Sequence, residues 1–88
     1  MNQHILIAMD WKNRSNEELN ENYTSAAGCA HAPVTETVAN AAHAASLVSS
    51  NPANAEFNAA KVEYYLNLFF RFPEESREDY EKALKEMK

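Results

Sequence analysis

The sequence predicts a small all-α bundle of four to five helices, and three observations indicate this fold class. Hydrophobic residues make up 45% of the 88-residue chain, which is enough for a core. The chain is rich in alanine, the residue with the highest helix propensity. One glycine and three prolines leave few of the turn signals that separate short strands. We expect a single helical domain over residues 1–88, since a chain of this length forms one domain.

The first two helices are expected in the first third of the chain. Residues 2–11 carry apolar side chains at helical spacing, and Trp11 anchors the end of this segment. The second helix should begin at Ser15, because Ser15 and Glu18 have the spacing of a capping box, in which each side chain accepts a hydrogen bond from the other residue's backbone N–H. It is expected to run to about Ala30.

Prolines mark the next two helix starts. Pro33 fits the first turn of a third helix, over residues 33–48, whose inner face is made of small side chains. Asn51 and Pro52 then fit the N-cap and the first position of a fourth helix.

The fourth helix is expected to lie at the centre of the bundle. Residues 57–72 read FNAAKVEYYLNLFFRF and contain all four phenylalanines and two of the four tyrosines. A helix that is apolar over most of its circumference must be covered from several sides. The helix should end near Arg71, because Pro73 disfavours helical geometry at the residue before it. We therefore expect the other helices to pack around this segment.

The last helix is expected to run from a cap at Ser76 to the end of the chain. Glu78 lies four residues before Lys82 and Glu81 lies four before Lys85, which predicts two ion pairs within this helix. Its apolar stripe consists of Tyr80, Ala83, Leu84 and Met87.

Charge and composition exclude several function classes. With 13 acidic and 8 basic residues the net charge is −5, which argues against direct binding to nucleic acid. Cys29 is the only cysteine, so the chain has no internal disulfide. The N-terminal segment lacks the features of a signal peptide, and no apolar run reaches the ~20 residues that span a bilayer. We expect a cytoplasmic protein with no membrane segment.

Catalytic and metal-binding patterns are weak. Cys29 and His31 do not have a standard zinc-ligand spacing, and a second ligand pair is missing. A Cys–His nucleophilic pair would also need an orienting group and an oxyanion hole, and the chain has no glycine-rich phosphate loop. We expect no enzyme activity, cofactor or metal. The candidate metal ligands are His4, Cys29, His31 and His43, and a metal-binding or small enzyme domain is an alternative that rests on Cys29, His31 and His43 alone.

Large aromatic side chains near the end of the fourth helix form the candidate protein interface. They are too many for one small helix to bury wholly, and an exposed aromatic patch is typical of an interface. A residual apolar strip that includes Tyr65 or Phe70 would need a partner, which predicts a two-fold homo-oligomer. The alternative is that all of these side chains belong to the core. The candidate residues are Tyr64, Tyr65, Phe69, Phe70, Arg71 and Phe72.

A second candidate surface is acidic and lies near the C-terminus. Its carboxylates could imitate a phosphate backbone, and the chain would then be a DNA mimic that inhibits a nucleic-acid-binding enzyme. Carboxylates along one continuous face would favour mimicry, whereas neutralisation by Lys82 and Lys85 would favour an ordinary solvated surface. The candidate residues are Glu74, Glu75, Glu78 and Asp79.

Two segments of the chain carry a resemblance to a known group of proteins. The first is ILIAMDW followed by SNEELNENY, and the second is EYYLNLFFRFPEESREDYEKAL, with an alanine-rich middle between them. This order resembles small alanine-rich accessory proteins of tailed bacteriophages of enteric bacteria. The middle departs from the group, with valines, histidines and Pro33 in place of an alanine–tyrosine repetition. The group has no assigned activity, so the resemblance carries no site residue.

The resemblance implies a non-structural phage protein made in the host cytoplasm. Small acidic phage proteins often inhibit host enzymes or defence systems. Together with the aromatic-rich fourth helix and the lack of a catalytic pattern, it leads us to expect a non-enzymatic protein. Such a protein would bind and modulate or inhibit a host defence or metabolic protein.

Overall fold

The computed structural model describes residues 1–87, which form five α-helices and no strand. The expected all-α bundle is confirmed. Two short 3-10 turns, Trp11–Asn13 and Pro52–Asn54, precede the second and fourth helices. The helices are α1 (Gln3–Met9), α2 (Asn16–Ala27), α3 (Pro33–Ser50), α4 (Ala55–Phe69) and α5 (Arg77–Glu86).

Polar side chains fix the starts of α1 and α2. Asn2 Oδ1 accepts a hydrogen bond from the backbone N–H of Ile5 at 3.1 Å. Ser15 Oγ accepts from the N–H of Glu18 at 3.1 Å, and Glu18 Oε1 accepts from the N–H of Ser15 at 3.2 Å. These two bonds confirm the capping box. The hydrogen bond from the Ser15 backbone, reinforced by Arg14, holds the pKa of the Glu18 carboxyl below its ordinary value.

The link between α2 and α3 is longer than the sequence predicts, because α2 ends early. α2 ends at Ala27 with Gly28 as its C-cap, before the expected end at residue 30. α3 begins at Pro33 as expected, and Thr35 Oγ1 accepts a hydrogen bond from the N–H of Ala32 at 3.0 Å. A threonine thus satisfies a backbone donor at a helix start that alanine itself cannot cap.

α4 is shorter than predicted at both ends. Pro52 begins a 3-10 turn rather than the helix, and neither Asn51 nor Asn54 caps the helix with its side chain. At the other end α4 stops at Phe69. The N–H of Arg71 donates to the carbonyl three residues earlier at 3.2 Å, the tighter spacing that often closes a helix.

The helix at the centre of the bundle is α3 rather than α4. It packs against α1, α2 and α4, and it buries twice as many residues as α4 does. The distance between packed helices depends on the side chains at the contact, so alanines let three neighbours approach α3 closely. Bulky side chains instead restrict α4 to one buried side. The buried residues of α3 are Val38, Ala39, Ala41, Ala42, Ala44, Ala45, Ser46 and Val48.

α5 begins at the predicted cap. Ser76 Oγ accepts a hydrogen bond from the N–H of Asp79 at 3.5 Å. The helix ends at Glu86, and Lys88, over which it was also expected to extend, lies outside the described residues.

Tyr80 attaches α5 to the rest of the bundle. Its side chain is 1% exposed, and its ring packs edge-on against Phe69 and Phe70 with centroids 5.9 and 5.1 Å away. Its hydroxyl donates to Glu75 Oε2 at 2.5 Å and accepts from the backbone N–H of Asn2 at 2.9 Å. Burial raises the pKa of the Tyr80 phenol to about 12, because the charged form would lose its hydration.

Candidate functional site

α4 is buried on one side and exposed on the other. Val62, Leu66 and Phe69 face the core, each with 2% exposure. Phe57 and Tyr64 project on the opposite side of the helix and are 64% and 59% exposed. The surface formed by Phe57, Ala60, Lys61 and Tyr64 is called the outer face of α4 below.

The outer face of α4 exposes two aromatic rings within one helix. The other strongly exposed large apolar side chains, Met1 and Met87, lie at the two ends of the described chain. Ala60 is exposed on the same face and lies between Phe57 and Tyr64 along the helix, so only a methyl side chain stands between the two aromatic positions. Fully burying one such ring is worth roughly 1.5–3 kcal/mol, and a partner that covers both rings would gain this energy.

The structure divides the aromatic cluster that the sequence put forward as an interface. Tyr64 and Arg71 are exposed, whereas Tyr65 and Phe72 are half-buried. Phe69 is 2% exposed and packs in the core, which is the alternative that the sequence left open for these side chains. The cluster is therefore partly surface and partly core.

Phe70 is half-buried and is covered by this chain's own residues. It packs edge-on against Phe69 and Tyr80, and the guanidinium carbon of Arg77 lies 5.8 Å from its ring centroid. A cation over an aromatic face is a favourable contact. Phe70 thus helps to hold α5 and is not a free interface residue.

Phe57 is the site residue that the sequence reasoning missed. It lies seven residues before Tyr64, so both fall on the same helical face, but only Tyr64 was included in the candidate interface. The available signal was Lys61, which shares this face and whose ammonium lies 5.5 Å from the Phe57 ring centroid. A lysine four residues after a phenylalanine is typical of a solvent-facing side of a helix.

The acidic candidate surface is only partly free. Glu74, Glu78 and Asp79 are exposed, but Glu75 is half-buried and accepts the hydrogen bond from Tyr80. One of the four proposed carboxylates therefore has an internal structural role.

Arg77 organises the charges where α5 meets α4. Its guanidinium donates to Glu63 at 2.5 and 3.0 Å, to Asn67 at 3.1 Å and to Glu81 at 3.2 Å. The predicted pairs of Lys82 with Glu78 and of Lys85 with Glu81 are not among the salt bridges of residues 1–87. Glu81 pairs with Arg77 instead, because a guanidinium can bind several acceptors at once.

The candidate metal ligands lie in different surroundings. Cys29 and His31 are exposed, and His43 stacks on Tyr23 with centroids 4.4 Å apart. His4 Nδ1 lies 2.8 Å from the side-chain oxygen of buried Asn22. Within residues 1–87, no three His, Cys, Asp or Glu side chains are grouped so that they could hold a metal ion.

A depression of about 440 Å³ lies between α1, α4 and α5. Its charged lining includes Lys12, Glu63, Arg77 and Glu81. The Arg77 guanidinium is already bound by Glu63 and Glu81, so this depression does not present a free guanidinium to an anionic ligand.

The chain matches no family model, curated protein or solved structure. Within its described part, the helices are too short or too polar to cross a membrane. The geometry itself points to the outer face of α4 as the candidate site, because aromatic side chains there meet solvent on a rigid element.

Proposed function

We propose that this chain is a non-enzymatic accessory protein that binds another protein and modulates or inhibits it. The observation that carries the proposal is the exposure of Phe57 and Tyr64 on the outer face of α4. Aromatic side chains are enriched in the cores of protein interfaces and dominate binding energies there. A helix already folded in the free protein also loses little conformational freedom on binding.

The chemistry of the outer face favours an apolar side chain as the central contact of the partner. Because Ala60 has only a methyl side chain, an aliphatic or aromatic side chain of the partner could pack between the two rings. Lys61 and Glu56 carry charges at the rim, where they contribute to orientation more than to affinity. Arg71 is exposed in the turn that follows α4 and extends the polar rim.

The proposed partner is a protein of a bacterial host, and the proposed location is the host cytoplasm. Support comes from the resemblance to accessory proteins of tailed phages. Cys29, His31 and His43, on which an enzymatic or metal-binding function would depend, lie in separate surroundings. The net charge of −5 supports a protein partner rather than nucleic acid.

The test is capture of a host protein with variants of the outer face. Wild-type chain and Met87→Ala, which truncates an exposed side chain elsewhere, should both retain one stoichiometric host protein. The double variant Phe57→Ala/Tyr64→Ala should lose it with unchanged thermal stability. The captured protein is then purified, and its affinity for each variant is measured by calorimetry. Capture of no stoichiometric partner, or equal affinity for all variants, would contradict the proposal.

A further inference from the structure

We infer that the outer face of α4 also binds a second copy of the chain, with the two α4 helices side by side and parallel. The inference concerns the same face as the proposed function but rests on separate observations. These are the seven-residue spacing of the face and the positions of two oppositely charged side chains that form no salt bridge within residues 1–87.

The outer face follows the spacing of a two-stranded coiled coil. Phe57 and Tyr64 are seven residues apart, and Ala60 and Asn67 form a second seven-residue pair displaced by three positions. Alternation of steps of three and four is the a/d pattern that brings one side of a helix against a partner helix. The aromatic pair then occupies the a positions, and Ala60 at a d position lets the two backbones approach.

Charges lie on both edges of this seam. Glu56 precedes Phe57 on one edge and Lys61 follows Ala60 on the other. They are five residues apart, so they are not neighbours on one helix, where contacts join residues three or four apart. Neither forms a salt bridge within residues 1–87. In a parallel pair of helices, Glu56 of each copy faces Lys61 of the other, at the g and e positions that join such helices.

The same charges disfavour the opposite orientation. An antiparallel pair centred on Ala60 would place the Lys61 side chains of both copies on the same edge at nearly the same height. Glu63 is already paired with Arg77, so the repulsion comes from the two Lys61 side chains. Like charges facing each other across an interface are unfavourable, so the charge pattern selects the parallel arrangement.

The rest of the fold leaves most of the seam exposed. Arg77 donates to Glu63 and Asn67, so the start of α5 lies beside the Asn67 end of the seam, whereas Phe57, Ala60 and Tyr64 remain exposed. α4 has 15 residues and is about 22 Å long, enough for two heptads. A contact of this length is small for a protein interface, so we expect a weak dimer that a host protein could displace.

The first experiment is sedimentation equilibrium of the whole chain from low micromolar to near-millimolar concentration. The wild type should change from monomer to dimer within this range. Glu56→Lys or Lys61→Glu alone should weaken the dimer by about 5- to 30-fold, since each turns two symmetric attractions into repulsions. The double variant Glu56→Lys/Lys61→Glu should return within about 2-fold of the wild type, because the exchange restores both pairs. A wild type that stays monomeric, or single variants that dimerise as well as wild type, overturns the inference.

The second experiment tests the orientation with a short bismaleimide cross-linker, in a Cys29→Ser background that removes the native thiol. Asn67→Cys should cross-link between copies in the parallel dimer. In an antiparallel pair centred on Ala60, the two thiols at 67 would be about 20 Å apart and would not react. Ala60→Cys is the control, since it lies at the centre in both orientations. Cross-linking through residue 60 alone, or through neither residue, rejects the parallel dimer.

The two proposals can fail separately. A wild type that stays monomeric at all concentrations but still captures the host protein would overturn the dimer and leave the proposed function standing. A dimer that persists while no host protein is captured would overturn the proposed function alone.

Discussion

The backbone N–H of Asn2 donates a hydrogen bond to the Tyr80 hydroxyl at 2.9 Å, and this bond joins residues 78 positions apart in the chain. Asn2 is also the N-cap of α1. One phenol therefore connects the start of the first helix with the last helix. Because the Tyr80 ring also packs on Phe69 and Phe70, the polar contact sits at the edge of an aromatic cluster.

Tyr80→Phe should reduce the free energy of unfolding by about 0.5–1.5 kcal/mol, since it removes the hydroxyl but keeps the ring. Tyr80→Ala should cost about 3–5 kcal/mol, because it also leaves a cavity beside Phe69. Urea unfolding followed by circular dichroism measures both. A Tyr80→Phe variant as stable as wild type would show that the bonds to Asn2 and Glu75 contribute nothing net.

The raised pKa of Tyr80 predicts a loss of stability at alkaline pH. The folded protein keeps the phenol protonated up to a pKa of about 12, whereas the ordinary value is 10.0. A group whose pKa is raised on folding stabilises the fold below its unfolded pKa, and this contribution disappears as the pH rises through the folded pKa. Between pH 10 and 12 the wild type should lose up to about 2–3 kcal/mol that Tyr80→Phe does not lose. The free energy of unfolding is measured against pH for both proteins. The difference between the two profiles removes the contributions of the other tyrosines and the lysines.

Local signals in the sequence were sufficient to predict that the helices exist and where most of them begin. The pairs Ser15/Glu18 and Ser76/Asp79 form the expected caps because a cap depends on only four consecutive residues. Pro33 likewise begins α3 as expected. The predicted start of α4 was wrong, because Pro52 fits a 3-10 turn as well as the first turn of an α-helix.

The pattern of apolar residues in α4 did not show which side of the helix is buried. Phe57 and Phe69 are chemically identical and lie in the same helix, yet one is 64% and the other 2% exposed. The buried side even includes Asn58, at 3% exposure, while Tyr64 meets solvent. A helix that is apolar on nearly all sides has no preferred direction of its own. The choice depends on the shape of α3, which is a tertiary property.

The central position of α3 predicts that its alanines do not tolerate larger side chains. Ala42 and Ala45 have 0% exposure, so Ala42→Leu or Ala45→Leu should destabilise the fold by about 1–3 kcal/mol or more through overpacking. Ala27→Leu, at an exposed position near the end of α2, should change stability by less than about 0.5 kcal/mol. Thermal unfolding of the three variants measures the difference. Equal effects at all three positions would contradict the central placement of α3.

Arg77 is expected to hold α5 against α4 with modest energy. Its bonds to Glu63 are charge-assisted, but the two side chains are 33% and 54% exposed, so solvent screens them. Arg77→Ala and Glu63→Gln should each lower the free energy of unfolding by about 1 kcal/mol or less. The coupling energy between the two side chains should be smaller than the sum of the two single effects. A double-mutant cycle in low and high salt measures this. Arg77→Lys tests the geometry, because lysine lacks the planar fork that reaches Glu63, Asn67 and Glu81 together.

Charge reversal on α5 distinguishes an aromatic binding face from a mimic of nucleic acid. Glu78→Lys/Asp79→Lys should leave the affinity for a host protein within about 2-fold if Phe57 and Tyr64 form the contact, and the affinity should change little with salt. Binding through carboxylates that replace phosphates would instead weaken steeply with salt and disappear in this variant. Both residues lie in the first turn of α5, so the reversal also opposes the helix dipole at a cost of about 0.3–1 kcal/mol each. Glu78→Gln/Asp79→Asn is the matched control, since it removes the same charges with little change in shape. If binding by the reversed variant is lost at every salt concentration while its fold is intact, the contact lies on α5 and not on the outer face of α4.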